Sequence, residues 1–217
     1  MSDLNDEEQL EQVKGWFREN GLWIVAGIVI GVGALGGWRW YEQRQVVRAE
    51  TAAERYDAML DAFTRNDRTR GLTLVDELNR EYASTPYAAL ATLVAARVHV
   101  EANELDKAAA GLKTVAEKAD DDEMRMVARL RLARVLSAQG KHDEALAALK
   151  IEKAGEFGPR VAEIRGDVLL AKGDRDGALR EYQAARVAAR NGVVDLDLLD
   201  LKIRDLGGTP PPREEES

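Results

Sequence analysis

The chain has 217 residues, a net charge of −8, no cysteine and only 6% aromatic residues, with a pI of about 5.0. This acidity, with basic residues interleaved among acids, excludes the clustered basic surface that nucleic acid requires. The missing cysteines exclude a disulfide framework, a thiol nucleophile and thiolate metal sites, and a composition dominated by Ala, Leu, Arg and Glu predicts an all-α fold packed through small residues.

Residues 1–20 read as a short acidic N-terminal tail, six acids against two bases, Lys14 and Arg18. The segment 21–41 reads as a transmembrane helix. Within it Leu22 to Trp38 runs for 17 residues without a charge, roughly 25 Å of helix at 1.5 Å per residue, inside the range of single spans. Trp23 stands at one end and Trp38, Trp40 and Tyr41 at the other, where amphipathic rings sit at headgroup level. A cleaved secretory signal is the rival reading, but the preceding acids are wrong for a basic n-region. Gly27 and Gly31, and Gly33 and Gly37, form small-xxx-small pairs that let another membrane helix approach closely. Five glycines in 11 residues favour such pairing over the general abundance of glycine in spans.

Residues 42–206 carry degenerate repeats. Gln43 to Arg55 lacks Gly and Pro, which predicts that the membrane helix continues into a first hairpin. NELDKAAAGL (103–112), GKHDEALAAL (140–149) and GDRDGALREY (173–182) each place a turn residue, then an Ala five positions on (Ala108, Ala145, Ala178), then a large residue four further. The alanines are 37 and 33 residues apart, and Ala96, Ala133 and Gly166 stand 12 residues before them. Small residues at both positions let two helices of a hairpin approach, and the large residue fills the gap to the next. The pattern resembles the tetratricopeptide repeat. Pro86 places a weaker first copy with helices near 50–66 and 70–83, Leu74 at the Ala position and Leu78 at the large one. Leu196, Leu199, Ile203 and Leu206 then recur at helical spacing and suit a helix capping the end of a stack of about three to four hairpins. GGTPPPREEES, 207–217, reads as a disordered tail.

Catalytic motifs are absent. The two histidines, His99 and His142, have no HExxH context or second ligand, and read as surface or groove histidines. The run Asp120–Glu123 reads as the start of a helix, where acids satisfy free N–H groups, rather than as a cation site. No catalytic, cofactor-binding or metal-binding residue is assigned, and the chain is expected not to be an enzyme.

The tail leading into QVKGWFRENG (12–21), the span with GVGALGGWRWY (31–41), YAALATL (87–93) and the blocks RLARVL (131–136) and RGDVLLAKGD (165–174) together resemble the bacterial YfgM-like family. The resemblance covers about residues 7–206. It implies a single-pass protein of the Gram-negative inner membrane with a cytoplasmic N-terminus and a periplasmic repeat domain. It also implies an ancillary subunit of the SecYEG translocon that works with a membrane-anchored periplasmic chaperone of the peptidyl-prolyl isomerase type. Aromatic and Met residues near the membrane end of the repeats would suit apolar segments of a translocating polypeptide or a chaperone arm. Set on the repeat pattern, Tyr56, Met59, Phe63, Leu93, Arg97, Arg134, Glu163 and Asp167 are expected to face a concave protein-binding groove. One pattern runs against the implied topology: Arg39, Arg44, Arg48 and Arg55 follow the span, against Lys14 and Arg18 before it, and a bare positive-inside count puts the C-terminal domain in the cytoplasm. The alternative reading is therefore a cytoplasm-facing, membrane-anchored scaffold that assembles soluble partners through the same repeats.

Overall fold

A computed structural model describes residues 3–189 and 194–211, with side chains from Lys14 onward at all but positions 17, 24 and 28. The acidic side chains before Lys14 and the tail residues 212–217 lie outside the described residues. Every described element is helical, so the fold is all-α. The chain divides into two units, residues 1–51 and 52–217.

The first unit belongs to a single helix, α1 (Asp3–Thr64), which begins within the acidic tail and continues into the second unit without a break. No proline interrupts it, and its glycines are tolerated where apolar surroundings hold the backbone ladder intact. Its charge-free stretch is laid bare: Leu22 is 80% exposed and Ile30 71%. A helix this apolar has the length and composition to cross a membrane, where lipid covers the exposed side chains. Just beyond, the Arg44 guanidinium lies 3.8 Å over the Trp40 ring, and Tyr41 Oη accepts from Gln45 Nε2 at 2.9 Å.

The second unit stacks four hairpins and a cap. The end of α1 pairs with α2 (Arg68–Glu81), α3 (Pro86–Glu101) with α4 (Leu105–Lys118), α5 (Asp122–Ala138) with α6 (His142–Ala148), and α7 (Gly158–Lys172) with α8 (Arg175–Ala188); α9 (Leu196–Asp205) closes the end. One turn recurs at every hairpin. Asn66, Asn103, Gly140 and Gly173 have φ of 60°, 56°, 75° and 92°, the left-handed region open to Gly and tolerated by Asn. The next residue's N–H returns five positions to the helix just ended: Asp67 to Ala62, Glu104 to His99, Lys141 to Leu136, Asp174 to Leu169, at 2.8–2.9 Å. This closes the last turn of each first helix on its orphan carbonyls. Asp67 and Asp174 then cap the following helix, accepting from Arg70 N and Gly177 N.

These turns fix the register and correct the first copy. Counting five residues from each left-handed residue reaches Ala108, Ala145 and Ala178, but from Asn66 it reaches Gly71, not Leu74. Gly71 is the small residue of the first hairpin: a Cβ there would stand 2.4 Å from the Phe63 ring. The same count moves Met59 onto the position held by Ala96, Ala133 and Gly166, which points into the hairpin.

Ala108, Ala145, Ala178 and Ala133 are fully buried. Around them Leu112, Leu149, Ile164 and Val168 form a continuous core from α3 to α7, while Met59, Leu74, Leu78 and Ala91 fill the first hairpin and Tyr182, Leu199 and Ile203 the last. Gly166 is required where it stands, since a Cβ would come within 2.5 Å of the Tyr182 ring. The acidic run 120–123 is a helix start: Asp121 accepts from Met124 N at 2.7 Å, and Asp122 and Glu123 occupy the first turn of α5. Helix α6 has 7 residues where α4 and α8 have 14. Its early end leaves an irregular run through Gly155, φ 52°, before Pro159 starts α7.

Candidate protein-binding groove

The first helices of the hairpins line one face of a repeat stack. On the register set by the turns, two rows run across that face: Tyr56, Leu93, Leu130 and Glu163, and Leu60, Arg97, Arg134 and Asp167. The rows pass from apolar at the first hairpin to charged at the last.

The structure divides the expected groove residues sharply. Met59 is fully buried and Leu93 is 6% exposed, so both pack the core and offer a partner almost no surface. Tyr56 and Phe63 are partly buried against the same core; Tyr56 stacks obliquely on Tyr87, ring centroids 5.8 Å apart, and Phe63 covers Gly71. Arg97 is exposed and pairs along its own helix with Glu101 at 2.8 Å. Arg134 is exposed, with no carboxylate in ion-pair range among the described residues.

Glu163 and Asp167 are occupied by the protein itself. Lys202 of α9 reaches both, at 3.0 Å and 2.6 Å. Glu163, only 3% exposed, also accepts from Arg160 at 2.6 Å, and Asp167 accepts from Tyr182 Oη at 2.8 Å. Burial, then the Asp167 carboxylate, raises the Tyr182 pKa, so the phenol stays protonated and donating. The capping helix therefore closes the last quarter of the groove with its own lysine. Sequence reasoning misses Lys202 because it lies 39 residues from Glu163, and it misses the Arg186–Asp200 pair, 2.7 Å, that anchors α9 on α8.

An open cavity of about 320 Å³ lies between α5 and α7, lined by Val127, Leu130, Arg131, Arg134, Phe157, Arg160 and Ile164. Of these only Arg134 is expected from sequence. Positions 127, 130, 131 and 134 share one face of α5 by helical spacing, a signal present in the sequence once that helix is placed.

The histidines hold structure. His99 Nδ1 lies 2.6 Å from Glu104 Oε2, and Arg68 closes on the same carboxylate. The Arg68 contact first, then His99, holds the Glu104 carboxyl at about 2, below its ordinary 4.5. This ties α2 to the α3–α4 turn. His142 Nδ1 stands 3.4 Å from Ser137 Oγ. Among the described residues no three His, Asp or Glu side chains gather as a metal site.

In the span, the glycines Gly27, Gly31, Gly33 and Gly37 have open space where a Cβ would stand. At 100° per residue the two pairs face directions about 120° apart, so they form two small-residue faces rather than one stripe.

Comparison with known proteins agrees with this architecture. The tetratricopeptide repeat-like domain family matches residues 14–208. A curated protein of Escherichia coli (strain K12) called ancillary SecYEG translocon subunit is 37% identical over 180 residues, covering 83% of this chain and 86% of that protein. Proteins of the same name from Haemophilus influenzae (27% identical, 84% and 89% covered) and Neisseria gonorrhoeae (28%, 94% and 98%) also match. No solved structure gives a significant match.

Proposed function

This chain belongs to the YfgM-like family of tetratricopeptide repeat-like proteins, and from that premise we propose that it serves as a non-enzymatic, Sec-associated adaptor. In this reading α1 anchors the chain in the inner membrane by a single span. The repeat domain stands in the periplasm beside the translocon exit, where its groove engages a membrane-anchored peptidyl-prolyl isomerase-type chaperone and segments of emerging polypeptides. The observation that carries the reading is the pairing of one exposed apolar span with a repeat stack whose inner face is partly open, in a chain that shares most of its length with proteins named for the translocon.

The mechanism is one of tethering. A span holds the repeat domain within a fixed radius of any membrane partner, raising the effective concentration of groove ligands far above their bulk value. Gly27 and Gly31 on one face, and Gly33 and Gly37 on another, let neighbouring spans pack closely.

The cytoplasm-facing scaffold remains the second reading because the basic count after the span favours it. Arg55 weakens that count: it stands roughly 25 Å of helix past Trp38 and pairs with Glu77 at 3.2 Å. Long domains also translocate with limited regard for charge. A reporter enzyme active only in the periplasm, fused after Ser217, decides between them. Activity is expected; a fusion active only as a cytoplasmic reporter overturns the adaptor reading in favour of the scaffold.

A further inference from the structure

We propose that the cavity between α5 and α7 selects acidic segments of a partner polypeptide, seating their carboxylates on Arg131 and Arg134 and an adjacent apolar side chain against Phe157. This rests on the concave face being a protein-binding surface, and it names the chemistry that surface takes.

The geometry comes from two helices. On α5, Val127, Leu130, Arg131 and Arg134 follow i, i+3, i+4, i+7; on α7 and its preceding turn, Phe157, Arg160 and Ile164 follow i, i+3, i+7. Apolar and basic positions therefore alternate on facing walls: Val127, Leu130, Phe157 and Ile164 lie beside the exposed Arg131 and Arg134, while Arg160 is half-buried and paired with Glu163 at 2.6 Å. Arginine suits such a wall because its planar fork grips a carboxylate through two hydrogen bonds and stacks on aromatic rings, which a lysine does not match.

The charge balance sets the sign of the ligand. Arg131, Arg134, Arg160 and Lys202 bring four positive charges to this end of the groove, against two carboxylates, Glu163 and Asp167, both already engaged. The surplus is about two positive charges in a chain whose net charge is −8. A local field opposite to that of the whole molecule repels basic segments and draws in acidic ones. The space, about 320 Å³, takes one or two side chains, not a folded domain.

The test uses the full chain in detergent micelles and a fluorescein-labelled peptide of about eight residues alternating Glu with Leu and Phe, read by anisotropy. Binding is expected to weaken at least about tenfold with the Gln analogue of the peptide, at least about tenfold in Arg131→Glu/Arg134→Glu, and less in Arg131→Lys/Arg134→Lys. Both side chains are exposed, so an unchanged melting curve of the variants confirms that the fold persists. Equal binding of the acidic and Gln peptides, or full binding by the charge-reversed variant, overturns the proposal. Displacement of the peptide by anionic but not zwitterionic phospholipid vesicles also overturns it, assigning the arginines to a membrane surface. So does binding that appears only after residues 212–217 are removed, which would make the chain's own acidic end the occupant. Translocon co-purification that survives while the acidic peptide fails to bind sinks this inference and leaves the adaptor reading standing.

Discussion

Gly166 and Tyr182 are matched to one another. In the second and third hairpins the corresponding pairs are Ala96 with Leu112 and Ala133 with Leu149, all buried; in the fourth, the larger tyrosine leaves no room for a methyl group opposite. Gly166→Ala is expected to destabilise the repeat domain by about 1–3 kcal/mol through overpacking, read as a drop in Tm, and Gly166→Ala/Tyr182→Leu to regain part of the loss because the two positions share one volume. Glu104 gives a pH dependence. Its carboxyl sits at about 2 in the folded chain against an ordinary 4.5, so the folded state binds fewer protons and gains stability wherever the unfolded carboxylate is already ionised. That gain is complete above about pH 4.5 and disappears as pH falls toward 2. The Tm difference between the parent chain and Glu104→Gln should be constant from neutrality down to about pH 5, then narrow; a difference that widens on acidification would contradict the assignment.

At the scale of the element, α9 decides where the groove ends. It docks through Leu199 and Ile203, both fully buried, and through the Arg186–Asp200 pair, whose side chains are 6% and 11% exposed. Asp200→Ala leaves Arg186 charged in a nearly dry site and should cost about 3 kcal/mol, with α9 becoming the first segment cut by limiting protease. Much of this layer is legible in the sequence. The alanine ladder, the large residues four positions on, the capping rhythm of α9 and the helix start at Asp121 all follow from local periodicity and turn chemistry. Two features are not. Matching Leu74 to the alanine ladder puts the first hairpin three residues out of register, whereas the left-handed Asn66 identifies Gly71 as the small residue. The repeat pattern turns Glu163 and Asp167 toward a partner because nothing near them in sequence announces Lys202. Pairing between elements far apart in the chain leaves no local periodic trace, and these are the contacts that separate a surface residue from an occupied one.

At the scale of the whole molecule, the absence of cysteine makes the span easy to interrogate. A single cysteine introduced on the Gly27 and Gly31 face should crosslink to a neighbouring membrane helix, and Gly27→Leu/Gly31→Leu should abolish that product while leaving the Tm of the repeat domain unchanged. Crosslinking that persists would place the contact on the Gly33 and Gly37 face or elsewhere. The half-length α6 has a further consequence. In a stack where each hairpin is held only by its neighbours, cooperativity passes along the row, and a shortened member is the thinnest joint. A trough of about 560 Å³ beside it, bounded by Ala109, Ala116, Leu132 and Ala148, thins the packing between α6 and the hairpin before it. Amide protons of α6 should therefore exchange ahead of those in α4 and α8, so the domain has a locally weak member near its middle although its helices form one unbroken row.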